Sequence, residues 1–319
     1  VTGVLGRLLA AGTAAFLLAG CAVAVLEEPT VTAPPTSSPT PVVSPTATSA
    51  APSPSESAPD EVEGYRAAPG LEIKSVRNFR DVAGGGEGLL LADGSRMAVG
   101  VVFRSGKLAP LSRADKARLV EAGLTDIYDL RTPTVMKRTP DPTVKGAERH
   151  EANVFAVEAS DPVRPSSVAE ARDHMRTINR DFAAVPAQRE AIASVLESIA
   201  DDRGPVLVHC TEGKDRTGWI SAMLQLTAGA NERAVIQEYL VSNTYREDLI
   251  EREVTKAKRS GGKRAGEIRR ALLQVDASYL EAGLDEMKSR FGDLDGYLTE
   301  GLGLSEETVE TLRARLRAG

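Results

Sequence analysis

Apolar residues come along this chain in bursts of two lengths, and burst length separates strands from helices. Val101-Val102-Phe103 and Asp126–Leu130 are short strand-like runs, and Pro205–His209 is the kind of run found in a buried parallel strand. Leu89–Leu91 and Met97 flank Asp93-Gly94, a hairpin-turn signal. Between these runs lie longer stretches of helical period. Ser112 caps a helix through about Ala122, with Asp115 in the capping-box position and Gly123 as its stop. Two amphipathic helices are expected near residues 167–184 and 187–201. Another opens near Arg216 and carries Trp219, Ile220, Met223, Leu224 and Leu226. From Asn231 onward the chain reads as almost wholly helical, ending in a helix capped by Ser305 with Val309, Leu312 and Leu316 on one side. Strands alternating with helices predict an α/β fold with a mostly parallel central sheet and helices on both faces.

The first 66 residues do not share this texture. Arg7, the apolar run from Leu8 to Leu18 and then Ala19-Gly20-Cys21 describe a secretory signal, and the run is shorter than the roughly 20 residues a membrane span needs. Leu18-Ala19-Gly20-Cys21 resembles the bacterial lipobox, which implies that residues 1–21 are a lipoprotein signal peptide and that Cys21 is acylated; an uncleaved anchor is the other reading. Both readings put the rest of the chain outside the cytoplasm and tethered to a membrane. Residues 22–66, rich in Pro, Thr and Ser, cannot bury enough apolar surface to offset ordering entropy, so they are expected to be a disordered spacer. A single catalytic domain is expected over residues 67–319.

Charge sharpens this division. The 319 residues carry a formal charge of −6, yet up to Gly64 there are six acidic residues and one basic one, leaving 38 basic against 39 acidic groups beyond. That near-neutral balance does not call for nucleic acid as a partner. Only Cys21 and Cys210 are cysteines, and each stands in its own motif, so no structural disulfide is expected.

The second motif is His209-Cys210-Thr211-Glu212-Gly213-Lys214-Asp215-Arg216-Thr217-Gly218, set between the buried strand and the helix near Arg216. Such a loop lies at the carboxyl end of a parallel strand, where open α/β sheets bind ligands. A loop closing onto a helix N-terminus aims backbone N–H groups at one point, which suits a phosphate and favours a thiolate at Cys210. Arg216 can grip two phosphate oxygens, Thr217 can donate to the sulfur, and Gly213 permits the turn. Lys214 invites a nucleotide-binding P-loop reading, but Val208 replaces its first glycine and Asp215 its Ser/Thr.

This stretch resembles the signature loop of cysteine-dependent protein tyrosine phosphatases. Gly213–Arg216 is similar to the core of the bacterial enzymes with combined protein and phosphoinositide activity. Asn78–Asp81 with Gly84, Arg104-Ser105-Gly106, Asp129-Leu130-Arg131, Tyr279-Leu280 and the ending from Phe291 to Ser305 extend the likeness over about Ser75 to Gly319. The resemblance implies that Cys210 attacks phosphorus, that a phosphocysteine is then hydrolysed, and that no metal or other cofactor is used. Residues 211–216 would bind the phosphate, with Arg216 stabilising its oxygens. His209 would order the loop rather than act as a base. The resemblance offers Asp215 as the proposed general acid, with Asp81 and Asp129 as fallbacks that equally suit structural pairs with Arg80 and Arg131. The three histidines (His150, His174, His209) are not expected to form a metal site. The substrate would be a phosphorylated protein, or else a phospholipid. A rhodanese-like sulfurtransferase and a phospho-ligand binder without turnover are the competing readings; His209-Cys210, Arg216 and Thr217 disfavour the first, the intact nucleophile the second.

Two features colour the substrate expectation. Glu212 stands where the resembling bacterial enzymes usually carry a small or apolar residue, and a carboxylate at the pocket mouth would repel polyanions. Against it, Lys256, Lys258, Arg259, Lys263, Arg264, Arg269 and Arg270 are opposed within their stretch only by Glu267. The resemblance places this stretch in a helical lid over the site, where it would attract phosphorylated ligands.

Overall fold

The alternation of strand faces organises the molecule. The computed structural model describes residues 71–156 and 163–317; the expected signal sequence, Cys21 and the Pro-rich spacer lie outside the described residues. Five strands form one sheet: β1 (Arg80–Asp81), β2 (Val102–Ser105), β3 (Asp126–Asp129), β4 (Glu148–Glu151) and β5 (Val206–His209). Their order is β1-β2-β5-β3-β4, with β1 antiparallel to β2 and every other pair parallel. Because side chains alternate along a strand, Phe103, Leu207 and Ile127 pack on one face with Leu119 of α1 (Arg113–Glu121) and with Ile73, Val76 and Phe79. Val102, Val206, Val208 and Tyr128 point the other way into the larger core.

That core is roofed by helices: α3 (Val168–Ala184), α4 (Pro186–Asp201), α5 (Asp215–Ala228), α6 (Glu232–Leu240), α8 (Ala277–Phe291) and α10 (Glu306–Arg315). The short α2 (Pro133–Arg138) and α9 (Leu294–Gly296) complete the set, with α7 (Glu247–Leu273) described below. The expected α/β architecture, a mostly parallel sheet covered on both faces with a helical C-terminal half, is the one observed. Trp219 of α5 is wholly buried and donates to the Tyr297 hydroxyl at 3.3 Å, which in turn donates to the Phe182 carbonyl of α3 at 3.0 Å. Both polar tips are therefore satisfied inside the core.

Several local expectations are met in detail and others revised. Ser112 and Ser305 each accept from the backbone N–H three residues on, as N-caps do. Asp115 does not complete a capping box; its carboxylate accepts from Ser75 N at 2.7 Å and ties α1 to the first described segment. The Asp93-Gly94 turn is present, but its arms pair only through single bridges such as Leu90 with Arg96. Three elements had no reading in the sequence: β1, β4 and α2.

The α7 stretch is a helical hairpin. Its backbone leaves helical geometry at Gly261 (φ −140°, ψ 17°) and Gly262 (φ 75°), the positive φ being one that glycine adopts readily. Across the hairpin Arg270 pairs with Glu251 at 2.5 Å and Arg269 with Glu253 at 3.5 Å. The basic stretch is therefore less uncompensated than its own sequence implies, because its partners lie upstream of it.

Candidate active site

Strands β2, β5 and β3 end level with one another, Ser105 and Asp129 flanking His209, and the loop Cys210–Lys214 leaves from that edge. It closes onto α5, whose N-terminus has no side-chain cap. Gly213 takes φ 67°, and a Cβ there would lie 2.5–2.6 Å from Ser105 and Gly106 backbone atoms. Only glycine lets the loop lie this close to the end of β2. The turn brings Gly213 N–H to 3.3 Å from the Cys210 sulfur.

The Cys210 thiol is buried, and burial alone would push its pKa up. Arg216, the Thr217 hydroxyl and the Thr217 backbone N–H more than reverse this, so the pKa lies below the ordinary thiol value despite Asp215 nearby. The Thr217 hydroxyl is buried without another hydrogen-bond partner. Arg216 is itself held in place: Nη1 donates to the Leu130 carbonyl at 3.1 Å, Nη2 lies 3.5 Å from Thr211 Oγ1, and Phe155 stacks under the guanidinium at 4.3 Å. A low-pKa thiol, inward N–H groups and an oriented arginine make a receptor for a tetrahedral oxyanion with a nucleophile at its floor.

The loop's other charged side chains turn away from that floor. Lys214 is buried and donates to the Leu272 carbonyl at 2.6 Å, at the returning end of the α7 hairpin. Burial lowers its pKa, partly offset by Asp215. Glu212 Oε2 accepts from Arg246 Nη2 at 3.0 Å, and Arg246 Nη1 donates to the Leu273 carbonyl at 2.6 Å. The expected free carboxylate at the mouth is thus an ion pair, because a buried arginine lies within reach. Lys214 and Arg246 together fasten the hairpin base to the loop.

Of the candidate acids, Asp215 opens α5 beside the loop, its Oδ1 3.7 Å from Lys214 Nζ and without a hydrogen bond. Asp129 is locked by Arg131, which donates from Nε at 2.7 Å and from Nη2 at 2.6 Å. Asp81 accepts from Ala83 N and Gly100 N, and Gly100 precedes β2 whereas the loop lies beyond its far end. The expected Asp81–Arg80 pair is absent among the described contacts; Arg80 instead bonds Glu238 at 2.5 Å. His209 is wholly buried, Nδ1 donating to the Cys210 carbonyl at 3.3 Å and Nε2 lying 3.3 Å from Asp141. Burial lowers its pKa in spite of Asp129 and Asp141, which suits an ordering role.

Among the described residues, two groups bring ligand-type atoms within 4.8 Å of one another, Asp129 with Asp141 and His209, and Asp126 with Glu148 and His150. In the first, Arg131 already bridges both carboxylates. In the second, His150 Nε2 is bonded to Asp126 at 2.7 Å. Sequence reasoning assigned no role to Asn78, Asp141, Phe155, Glu238 or Arg246, which meet the site from distant parts of the chain.

An α/β sheet whose central strand delivers a low-pKa cysteine into an arginine-closed loop defines a cysteine-based phosphatase architecture. The sequence pattern of the tyrosine phosphatase family matches residues 71–318, and the chain belongs to that family. A candidate tyrosine-protein phosphatase of Cupriavidus necator is 31% identical over 257 residues, covering 78% of this chain and 89% of that protein. The triple specificity protein phosphatase PtpB of Mycobacterium tuberculosis is 29% identical, covering 77% and 98%. A tyrosine-protein phosphatase of Nostoc commune is 24% identical, covering 81% and 90%. Family membership supports phosphomonoester hydrolysis.

Proposed function

We propose that the protein hydrolyses phosphotyrosine in proteins through a phosphocysteine at Cys210. The observation that carries this reading is the ionisable sulfur held between Arg216, Thr217 and the Gly213 N–H. The Cys210 thiolate attacks phosphorus; a P–S bond forms as the P–O bond to the aryl group breaks. Asp215 gives its proton to the departing phenolate oxygen. Water then attacks the same phosphorus and passes a proton to Asp215; the P–S bond breaks, releasing phosphate and the thiolate. Arg216 and the loop amides carry the charge of the equatorial oxygens in both steps. Asp215 suits the acid's role because its carboxyl is not clamped, whereas Asp129 is fixed by Arg131 and Asp81 lies toward the wrong end of β2. Turnover is proposed to need no metal or cofactor. We further propose that Cys21 carries a lipid anchor and that the domain works outside the cytoplasm. The phospholipid reading draws on the basic hairpin, of which Arg269 and Arg270 are already engaged by acids.

The experiment is hydrolysis of phosphotyrosine peptides, phosphoserine peptides and phosphoinositides with EDTA present. Cys210→Ser abolishes turnover while inorganic phosphate still binds. Asp215→Asn slows release of poor leaving groups by about a hundredfold and of activated phenols far less. A Cys210→Ser protein retaining more than a small fraction of wild-type turnover would exclude the phosphocysteine.

A further inference from the structure

We infer that Glu238 of α6 is a positioning residue for the oxyanion-binding loop, acting through Arg104 and Asn78 on the carbonyl of Gly213. It is 134 residues from Arg104 and 158 from Arg80, and all three side chains are almost fully buried. Glu238 Oε2 accepts from Arg104 Nη1 at 2.7 Å and Oε1 from Arg80 Nε at 2.5 Å. Arg104 Nη2 donates to the Gly213 carbonyl at 2.9 Å. Asn78 Nδ2 donates to the same carbonyl at 2.7 Å, and Arg80 Nη1 bonds Asn78 Oδ1 in turn. Both donors on one loop carbonyl are therefore tied to one carboxylate.

The consequence follows from peptide geometry. In a trans peptide the C=O and the N–H that shares its plane point in opposite directions. Asn78 also reaches the Glu212 carbonyl at 3.4 Å, and the N–H of that same peptide, Gly213 N–H, faces the Cys210 sulfur at 3.3 Å. Pulling the Gly213 carbonyl toward Arg104 and Asn78 likewise turns the Lys214 N–H toward the loop interior, where phosphate oxygens would bind. Glu238 stays ionised in this position: burial works against its charge, and Arg104 and Arg80 prevail. A neutral residue there would leave two buried guanidinium groups short of an acceptor and free the carbonyl to rotate.

This inference rests on the oxyanion-binding reading of the loop, and its test avoids turnover. In full-length Cys210→Ser protein, binding of inorganic phosphate is measured by calorimetry with and without Glu238→Gln, which preserves side-chain shape but gives one arginine an amide N–H in place of an acceptor. The dissociation constant rises about tenfold. Asn78→Gly removes one donor without touching Glu238, and glycine suits the φ of 57° at that position. It also weakens phosphate binding, and the two changes together cost less than their product because they act on one carbonyl. Parent-like phosphate binding by a folded Glu238→Gln protein overturns the inference, as do fully multiplicative effects of the two changes. If Glu238→Gln does not fold, parent-like binding by Asn78→Gly overturns it. A wild-type protein that binds phosphate but has no turnover would refute the phosphatase reading and leave this one standing.

Discussion

Replacing Glu212 with alanine separates two views of the same carboxylate. Judged from the sequence, an unpaired charge at the mouth would disfavour polyanionic ligands, and its removal would raise kcat/KM for phosphoinositides more than for phosphotyrosine peptides. In the structure the charge is paired with Arg246 at 3.0 Å, and that pair also ties down the end of the hairpin. At an intermediate effective dielectric the Coulomb attraction at this separation is about 5–6 kcal/mol. Water reaches Glu212, whose side chain is 34% exposed, so screening and desolvation leave a net contribution on the order of 1–2 kcal/mol. The expected outcome of Glu212→Ala is a fall in Tm of about 2–8 °C for a domain of this size. The kcat/KM values for phosphotyrosine peptide and for phosphoinositide should shift together, within about twofold of each other, since a compensated charge presents little net field to the ligand. The assay compares both substrates at low and moderate salt beside a thermal unfolding curve. A gain confined to phosphoinositides and enlarged at low salt, with Tm unchanged, would refute the argument and return Glu212 to the mouth.

Thr217→Val removes a hydroxyl whose role is to stabilise the Cys210 thiolate. Because that thiol's pKa is depressed, losing a donor raises it, so the defect is largest in acid and fades as pH rises. Iodoacetamide alkylation of Cys210 should be about tenfold slower near pH 5.5 and converge with wild type in alkali; parallel pH–rate curves would exclude the hydroxyl's contribution. Asp81 has a pKa raised from 3.8 to about 6, chiefly by burial, against the two backbone N–H groups it accepts from. A carboxyl with a raised folded pKa favours the fold fully below its unfolded value, and that stability is lost as pH climbs through about 6. Asp81→Asn should therefore remove a decline on the order of 3 kcal/mol between pH ~4 and ~7, read from urea unfolding at several pH values. Stability curves of the two proteins that stay parallel across this range would contradict it.

The contrast between what could and could not be read from the sequence follows the range of the interactions. Val206–His209, the loop and the start of α5 are contiguous, and their signals are local: an apolar strand, a glycine at a positive-φ turn and an arginine spaced to face the cysteine. The caps at Ser112 and Ser305 are local too. By contrast, β4 is Glu-Arg-His-Glu, largely solvent-facing, and exists because its backbone pairs with β3; no apolar alternation announces it. The two-residue β1 is likewise set by its partner β2. Gly261-Gly262 lies inside a stretch that reads as helical on both sides, and that periodicity masks the hairpin that the paired Glu251–Arg270 and Glu253–Arg269 make evident.

The same distinction explains why the loop residues carry a legible role and the groups that hold them do not, even where, as at Asn78 and Arg104, they stand in a recognisable motif. Glu238 reads in isolation as one more polar position on α6, and Arg246 as one more cation before a charged helix. Each becomes intelligible only when folding brings a loop carbonyl or carboxylate within 3.0 Å of it or of its arginine partner. A phosphate-binding loop built from backbone N–H groups has this requirement by construction. The amides supply no orientation of their own, so their carbonyls must be fixed from behind, by side chains that sequence proximity does not reveal. Asn78 and Arg104, which both donate to the Gly213 carbonyl, are those fixings. Substitutions there should weaken oxyanion binding without touching any atom that contacts the anion.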